Sequence, residues 1–213
     1  MDILETTTEP GTHAGNLTLT GGALCLDFTN TMDWRLRPQP QEWLTDYADL
    51  VAWSRHVQIL TDAQTSALLT RAAAQPDAAR AVLDRALTLR EAIYRIFVAV
   101  AHAAAPAPPD LAILNTELAG ALARLRVVPA GADFAWDWDV PAGALDWMLW
   151  PVVRSTADLL VSDALSRVHE CGGTDCGWLF LDTSRNGSRR WCSMDGCGNR
   201  AKARRHYARQ RKT

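Results

Sequence analysis

The chain has 213 residues, of which 48% are hydrophobic and 22% charged, and its formal net charge is −2. This composition is that of a globular protein with one sizeable core, and it excludes collagen-like and disordered chains. No stretch reaches the roughly 18 consecutive apolar residues of a membrane span. The acidic start MDILETTTEP lacks the basic and apolar regions of a signal peptide. We therefore expect a bacterial, cytoplasmic protein without a membrane partner.

The small net charge conceals two parts of opposite sign. Residues 171–213 contain ten Lys or Arg and three Asp or Glu, a net charge of +7, which leaves −9 on residues 1–170. Such a division indicates two modules with different partners. We predict a flexible tail over residues 1–15, a mainly helical domain over 16–168 and a cysteine-rich module over 169–213.

The predicted helical domain begins with short strands. Alternating apolar and polar residues over 16–31 predict two strands joined by a turn at Gly21–Gly22. Apolar residues recur at helix spacing from Trp43 onwards and predict a first helix. A capping box at Thr61 predicts the start of a second helix.

Longer helices follow in the second half of this domain. Amphipathic spacing predicts a long helix over 77–104 and another over 110–124. A hairpin around the turn at 129–131 comes next, and then a helix over 142–168 in which Pro151 causes a kink or a break. The predicted fold class is mainly α with a small antiparallel β element.

Four of the five cysteines form two C-x4-C pairs in the C-terminal module: Cys171, Cys176, Cys192 and Cys197. Zn²⁺ favours four thiolates at the corners of a tetrahedron, and glycine-rich loops allow both cysteines of a pair to face one ion. In a reducing cytoplasm clustered cysteines indicate a metal rather than disulfides. Two disulfides, or His169 or His206 as substitute ligands, remain alternatives. We predict one structural zinc ion.

The spacing between the two cysteine pairs favours a treble-clef-like finger, which combines a β-hairpin with a helix. Strands over 178–181 and 189–192 would form the hairpin, and a helix would follow from residue 198 to about residue 211. Four cysteines leave no open position on the metal for catalysis. The sequence also contains no recognisable nucleophile–base arrangement, so we do not expect an enzyme.

Two stretches of the chain resemble known families. The stretch CGWLFLDTSRNGSRRWCSMDGCGNRAKARRHYARQR resembles the CGNR zinc finger, named for the tetrapeptide at residues 197–200. Upstream, GGALCLDFTNT and the helical region after it resemble the partner domain ABATE, a family described as stress-induced transcription regulators. The resemblance implies a two-domain bacterial regulator with a role in stress response, whose four cysteines bind zinc and whose finger binds DNA. It gives Asn199 and Arg200 as signature residues without an assigned role.

Basic residues around the predicted finger form a candidate nucleic-acid surface. Such a surface neutralises phosphates and releases counterions. The predicted contacts are Arg185, Arg189, Arg190, Arg200, Lys202, Arg204, Arg205 and Arg209. Two alternatives remain: the basic helix docks on the acidic domain, or the finger belongs to an RNA-binding or protein-interaction adaptor whose zinc is purely structural.

Three charged residues of the helical domain lie in apolar sequence: Asp27, Arg90 and Arg154. Because a buried charge must be paired, one hypothesis pairs Asp27 with one arginine and leaves the other to bind a small anionic ligand. The alternative is that each side chain reaches solvent. This domain would then serve as a sensor or as a homodimerisation module. We interpret Cys25 as a buried apolar residue, with a reactive role as the alternative.

Overall fold

The computed structural model describes residues 12–210, which contain seven α-helices and six short strands. The helices are α1 (Leu24–Thr29), α2 (Tyr47–His56), α3 (Asp62–Ala74), α4 (Pro76–Ala101), α5 (Pro108–Leu122), α6 (Leu149–Leu160) and α7 (Asn199–Gln210). The strands are β1 (Met32–Asp33), β2 (Gln41–Glu42), β3 (Leu125–Ala130), β4 (Asp133–Trp138), β5 (Val168–Glu170) and β6 (Leu179–Leu181). They pair in sequence order as three antiparallel two-stranded sheets. The predicted fold class, mainly α with small antiparallel sheets, is confirmed.

The predicted flexible tail falls mostly outside the described residues. Of the part within them, Ala14–Asn16 form a short 3-10 turn capped by the His13 side chain, and Ala14 is buried in the main core. Within residues 12–210 no helix combines the length and the apolar character needed to cross a membrane.

Helix α4 is the centre of the main core. Its buried side chains recur at helix spacing, as the sequence predicts, and include Val82, Ala86, Leu89, Ile93 and Ile96. Helices α1, α2, α3 and α5 contact α4, and so do β5 and β6 of the C-terminal module. The long helix therefore packs against the two strands of the cysteine-rich module.

The predicted strands over residues 16–31 are wrong, because residues 24–29 form helix α1. This helix is enclosed by α4, α6 and β6, and Cys25, Leu26 and Phe28 are fully buried. A helix buried on most sides carries apolar residues around its circumference, so its sequence lacks the one-sided period of a surface helix. The Gly21 N–H donates to the Asp27 carboxylate at 2.8 Å and holds the preceding loop against the start of the helix.

The predicted helix over 142–168 is also shorter in the structure. Helix α6 begins at Leu149, so Pro151 lies in its first turn, where a missing N–H costs no helical hydrogen bond. After α6 the chain forms a 3-10 turn at Asp163–Arg167 and then strand β5. Pro151 thus marks the beginning of a helix rather than a kink within one.

The predicted hairpin around residues 129–131 is confirmed, and it leaves an apolar face in solvent. Val127 lies opposite Trp136, and Pro129 lies opposite Phe134. The exposed fractions of Val127, Phe134 and Trp136 are 56%, 75% and 58%. The base of the hairpin is anchored where Trp138 packs against Trp150.

The hairpin predicted for the C-terminal module combines the wrong strands. Strand β6 pairs with β5 rather than with residues 189–192. The buried Asp182 carboxylate accepts the N–H groups of Ser184 and Arg189 and folds the intervening residues into a loop. Hydrogen bonding by the Ser184 side chain, and then by these two N–H groups, holds the pKa of Asp182 down to about 2.

Candidate metal centre

The four clustered cysteines come from two connections of the C-terminal module, between β5 and β6 and between β6 and α7. Cys171 follows β5 directly, and Cys176 closes the turn that leads into β6. Cys192 ends the loop after β6, and Cys197 lies in a π-helical turn, Met194–Gly198, that leads into α7. All four side chains are buried.

The positions of the sulfur atoms fit a tetrahedral metal. All four Sγ atoms lie within 4.8 Å of one another, and Cys192 Sγ is 3.7 Å from both Cys176 Sγ and Cys197 Sγ. Four thiolates bound to zinc at about 2.3 Å define a tetrahedron with edges of about 3.8 Å. Disulfide sulfurs lie about 2.05 Å apart, so these separations exclude both disulfides.

Four thiolates at these separations repel one another, and a bound cation offsets that repulsion. Hydrogen bonding with Cys171 raises the pKa of both Cys176 and Cys192 far above that of a free thiol, so the unliganded cluster cannot ionise fully. A divalent ion stabilises all four as thiolates. The Cys192 N–H donates to Cys171 Sγ at 3.3 Å, which is the kind of contact that supports a bound thiolate. His169 packs against the Phe180 ring, and the cysteines alone form the described cluster.

Gly173 is required beside the cluster. A Cβ at this position would lie 3.0 Å from Cys197 Sγ and 3.1 Å from Cys176 Cβ. Any larger residue would therefore push apart the two cysteine pairs, which explains the glycine in the first C-x4-C loop.

Arg200, predicted as a nucleic-acid contact, is exposed, and its guanidinium also contacts the metal centre. Its Nη2 donates to Cys197 Sγ at 3.0 Å, and its guanidinium carbon lies 4.6 Å from the centre of the Trp34 ring. Trp34 has a φ of 53°, which is unusual for a bulky residue. Its backbone N–H donates to the Asp33 carboxylate at 2.7 Å. The arginine thus links the metal centre to a loop of the N-terminal part.

The Arg189 guanidinium also has its partners within the protein. Its guanidinium lies 4.3 Å from the centre of the Phe180 ring. It donates hydrogen bonds to four backbone carbonyls, those of Thr20, Leu181, Trp191 and Cys192. An arginine with so many internal acceptors stabilises the loop between the cysteine pairs.

The other six predicted contacts lie at the surface of the module. These residues are Arg185, Arg190, Lys202, Arg204, Arg205 and Arg209, and all are exposed. Four of them belong to α7, where every residue from Lys202 to Gln210 is exposed. Arg211 and Lys212, at the end of the predicted basic face, lie outside the described residues.

Comparison with known families accounts for both parts of the chain. The profile of ABATE, described as a "putative stress-induced transcription regulator", matches residues 22–163, which is two thirds of the sequence. The chain belongs to the ABATE family. The CGNR zinc finger profile matches residues 167–210, so the four cysteines form the zinc site of a CGNR finger. Neither family is described as an enzyme. The comparison with curated proteins gave no match.

The finger and the ABATE domain are joined by hydrogen bonds between side chains and backbone and between backbone groups. Asn30 of the ABATE domain, 3% exposed, uses its side-chain amide to pair with the backbone of Leu179 at 2.9 and 3.0 Å. The Arg35 N–H donates to the Cys176 carbonyl at 3.0 Å, and the Trp178 indole donates to the Met32 carbonyl at 3.1 Å. Val168 and Leu179 belong to the main core. The two family regions therefore share one packed interior.

The hypothesised pairing of Asp27 with an arginine is wrong. Arg90, 1% exposed, donates to both carboxylate oxygens of Glu42 at 2.6 Å and to Glu91 at 2.9 Å. Arg154 extends towards the surface, 3.5 Å from Asp158. Asp27 accepts only backbone N–H groups, and burial raises its pKa. Both arginines already have carboxylate partners, so the described contacts give no support to an anionic-ligand site among these three residues.

Several residues that contact the finger near the metal centre could not be recognised from the sequence. Asn30, Trp34 and Arg35 lie in a loop more than 130 positions before the cysteines, and no motif connects the two segments. A buried asparagine must find hydrogen-bond partners, but Asn30 lies between two threonines, so the sequence does not indicate that it is buried. Cys25 behaves as interpreted: it is fully buried, and burial raises the pKa of its thiol to about 11.

We predict that Cys192→Ser abolishes tight zinc binding, because a hydroxyl cannot replace a thiolate in the tetrahedral shell. Elemental analysis of the purified variant should give less than one tightly held zinc per chain, with a lower melting temperature by circular dichroism. Cys25→Ala is the matched control, since it removes a buried cysteine outside the cluster, and it should retain one zinc. Equal zinc content in wild type and Cys192→Ser would contradict the assigned ligand set.

Arg200→Gln should weaken zinc binding without removing a ligand, because it eliminates the cation that faces the Cys197 thiolate. Loss of an outer hydrogen bond to a metal ligand typically lowers affinity by about 10–100-fold. Competition with a chromogenic chelator measures this change, and Arg205→Gln on the exposed part of α7 is the control. Identical competition curves for both variants and wild type would show that Arg200 has no such role.

Proposed function

We propose that this protein is a zinc-dependent transcription regulator that contacts DNA with α7. The observation that carries the proposal is the exposure of this helix on all sides beyond Ala201, together with its charge. Residues 199–210 contain five Lys or Arg and no acidic residue. A helix that is polar around its whole circumference gains nothing from packing on its own protein, and a partner rich in phosphates supplies the missing stabilisation.

The dimensions of α7 support DNA as the partner. Twelve residues give a helix of about 18 Å, and its diameter of about 10–12 Å matches the major groove. The zinc centre fixes the first turn through Cys197 and Arg200, so the exposed part extends from a rigid base. Arg185 and Arg190, from the loop between the cysteine pairs, provide two further exposed cations on the same module.

The proposal assigns different roles to the eight predicted basic residues. Arg189 and Arg200 stabilise the finger through carbonyl and thiolate acceptors. The six exposed residues at the surface are the proposed nucleic-acid contacts. The rival explanation, docking of the basic helix on the acidic domain, predicts that this helix is covered. Residues 202–210 are instead exposed along their whole length.

We further propose that the exposed hairpin β3–β4 mediates dimerisation with a second copy of the chain. The described sheet has two strands, so the outer edge of β4 has no partner strand beside Phe134 and Trp136. A two-fold axis would pair this edge with the same edge of a second copy and remove both aromatic side chains from water. A dimer would present two copies of α7, as recognition of a pseudo-palindromic site requires.

DNA binding is tested by titrating labelled genomic fragments with protein over a salt series. Each phosphate contact contributes about 0.9 to the slope of log affinity against log salt. The double variant R204A/R205A should lower the slope by roughly 1–2 while zinc content stays unchanged. The matched control is R55A/R80A, which removes two exposed arginines of the ABATE domain.

Two results of this titration would contradict the proposal. One is salt-insensitive binding by the wild type, and the other is an equal slope for R204A/R205A and the control. Stronger binding to single-stranded RNA of matching sequence would favour the alternative of an RNA-binding adaptor.

Dimerisation through the hairpin predicts that Phe134→Ser yields a monomer under conditions in which the wild type is dimeric. The substitution should leave the melting temperature of the monomer unchanged, because the Phe134 side chain is 75% exposed. Sedimentation equilibrium measures the mass, and Val161→Ser, at a residue 86% exposed elsewhere on the domain, is the control. A wild type that stays monomeric, or a Phe134→Ser variant that stays dimeric, would exclude this interface.

A further inference from the structure

Within residues 12–210, helix α7 has few attachments to the rest of the protein. It packs mainly against the π-helical turn that precedes it, and Ala201 is the buried residue of the helix. Cys197, as a metal ligand, fixes only its beginning. A tilt of about 10° at that point would move the far end of a helix about 18 Å long by about 3 Å. A second attachment is therefore needed to set the direction of α7.

The Arg200 side chain provides this second attachment, because it reaches the loop between β1 and β2. Its guanidinium carbon lies 4.6 Å from the centre of the Trp34 ring. Arg204, one turn later in α7, borders the same small recess as Trp34 and Asp175. The first two turns of the basic helix therefore face a loop of the ABATE domain.

This loop is itself firmly held on two sides. The Arg35 N–H donates to the Cys176 carbonyl at 3.0 Å, which ties the loop to the first cysteine pair. The Arg35 side chain, 5% exposed, pairs with Glu91 of α4 at 2.8 Å. The loop therefore connects the centre of the main core with the metal centre, and Trp34 lies directly beside this connection.

The backbone of Trp34 is fixed in a conformation that a bulky residue rarely adopts. Its φ of 53° is costly and persists only where surrounding contacts hold it. Its carbonyl accepts the Arg37 N–H at 2.9 Å, and the Arg37 guanidinium carbon lies 3.6 Å from the centre of its ring. The Asp33 carboxylate interacts with the charges of both Arg37 and Arg200 and offsets their mutual repulsion. The indole is thus presented to α7 in one orientation.

We propose that Trp34 is a positioning residue for α7: its ring, with the Arg200 guanidinium over it, sets the direction in which the basic helix leaves the metal centre. Guanidinium groups are attracted to the face of an indole, the strongest such partner among the aromatic side chains. Trp34 belongs to the ABATE domain, so this domain determines where the exposed cations of the finger lie. The consequence for DNA rests on the proposed function, whereas the direction of the helix does not.

The direction of α7 is measured by electron spin resonance, as the distance between two nitroxide labels on the full-length, zinc-loaded chain. Ala67→Cys on α3 and Ala208→Cys on α7 provide exposed attachment points. The five native cysteines are buried, so the labels react with the introduced ones. Dilution with excess unlabelled protein restricts the signal to distances within one chain. With Trp34 in place, the distance distribution should be narrow.

Variants of position 34 separate the ring from the backbone. Trp34→Gly removes the ring and suits the left-handed conformation, and it should broaden the distribution. Trp34→Phe keeps an aromatic face and should keep the distribution narrow. Leu36→Gly is the matched control, because it adds a glycine to the same loop and leaves the ring in place. Zinc content should stay unchanged throughout. If Trp34→Gly loses zinc, Trp34→Asn takes its place, since asparagine also accepts a positive φ.

The salt titration with DNA separates the position of the cations from their number. Trp34→Gly leaves every cation of the finger in the chain, so the slope of log affinity against log salt should equal that of the wild type. The affinity itself should fall roughly two- to fivefold, which is the contribution of a cation–π contact at an exposed site. R204A/R205A should instead lower the slope.

Equal distance distributions in wild type and Trp34→Gly would overturn the proposal, as would equal broadening in Trp34→Gly and Leu36→Gly. A Trp34→Phe distribution as broad as that of Trp34→Gly would also overturn it. The distance measurement contains no DNA. A helix that Trp34 positions but that binds no DNA would therefore refute the proposed function alone.

Discussion

The mutual repulsion of four thiolates is the constraint on which the C-terminal part of this protein depends. Their sulfurs lie within 4.8 Å of one another, and only a divalent cation between them makes that separation favourable. With the ion in place, the cluster ties the turn before β6 to the first turn of α7. The direction of the basic helix follows from these attachments, since the helix has little other contact with the protein.

The arginines of the finger differ in the acceptors that surround them. Arg189 and Arg200 are as basic as their neighbours, but carbonyl oxygens and a thiolate hold them against the body of the finger. The cations of α7 beyond Ala201 have exposed positions. A count of positive charges therefore does not by itself define a binding surface, because the acceptors around each guanidinium differ.

The sequence was sufficient for the zinc ligands, the long amphipathic helices and the β3–β4 hairpin, because each has a local period or a fixed spacing. It was insufficient for α1, which is buried on most sides and lacks a one-sided pattern. Strand β5 was missed because three residues beside a 3-10 turn have no period of their own. The contact between Arg200 and Trp34 could not be predicted, because only the folded chain brings these two residues together.

Strands β5 and β6 contribute to two interiors at once, since Val168 and Leu179 pack in the main core while Cys171 and Cys176 lie between them in sequence. Loss of the ion would therefore disturb the ABATE domain as well as the finger. A chain without its ion would then expose the core of the ABATE domain to proteases as well as the finger. Metal starvation would therefore lower the amount of folded protein.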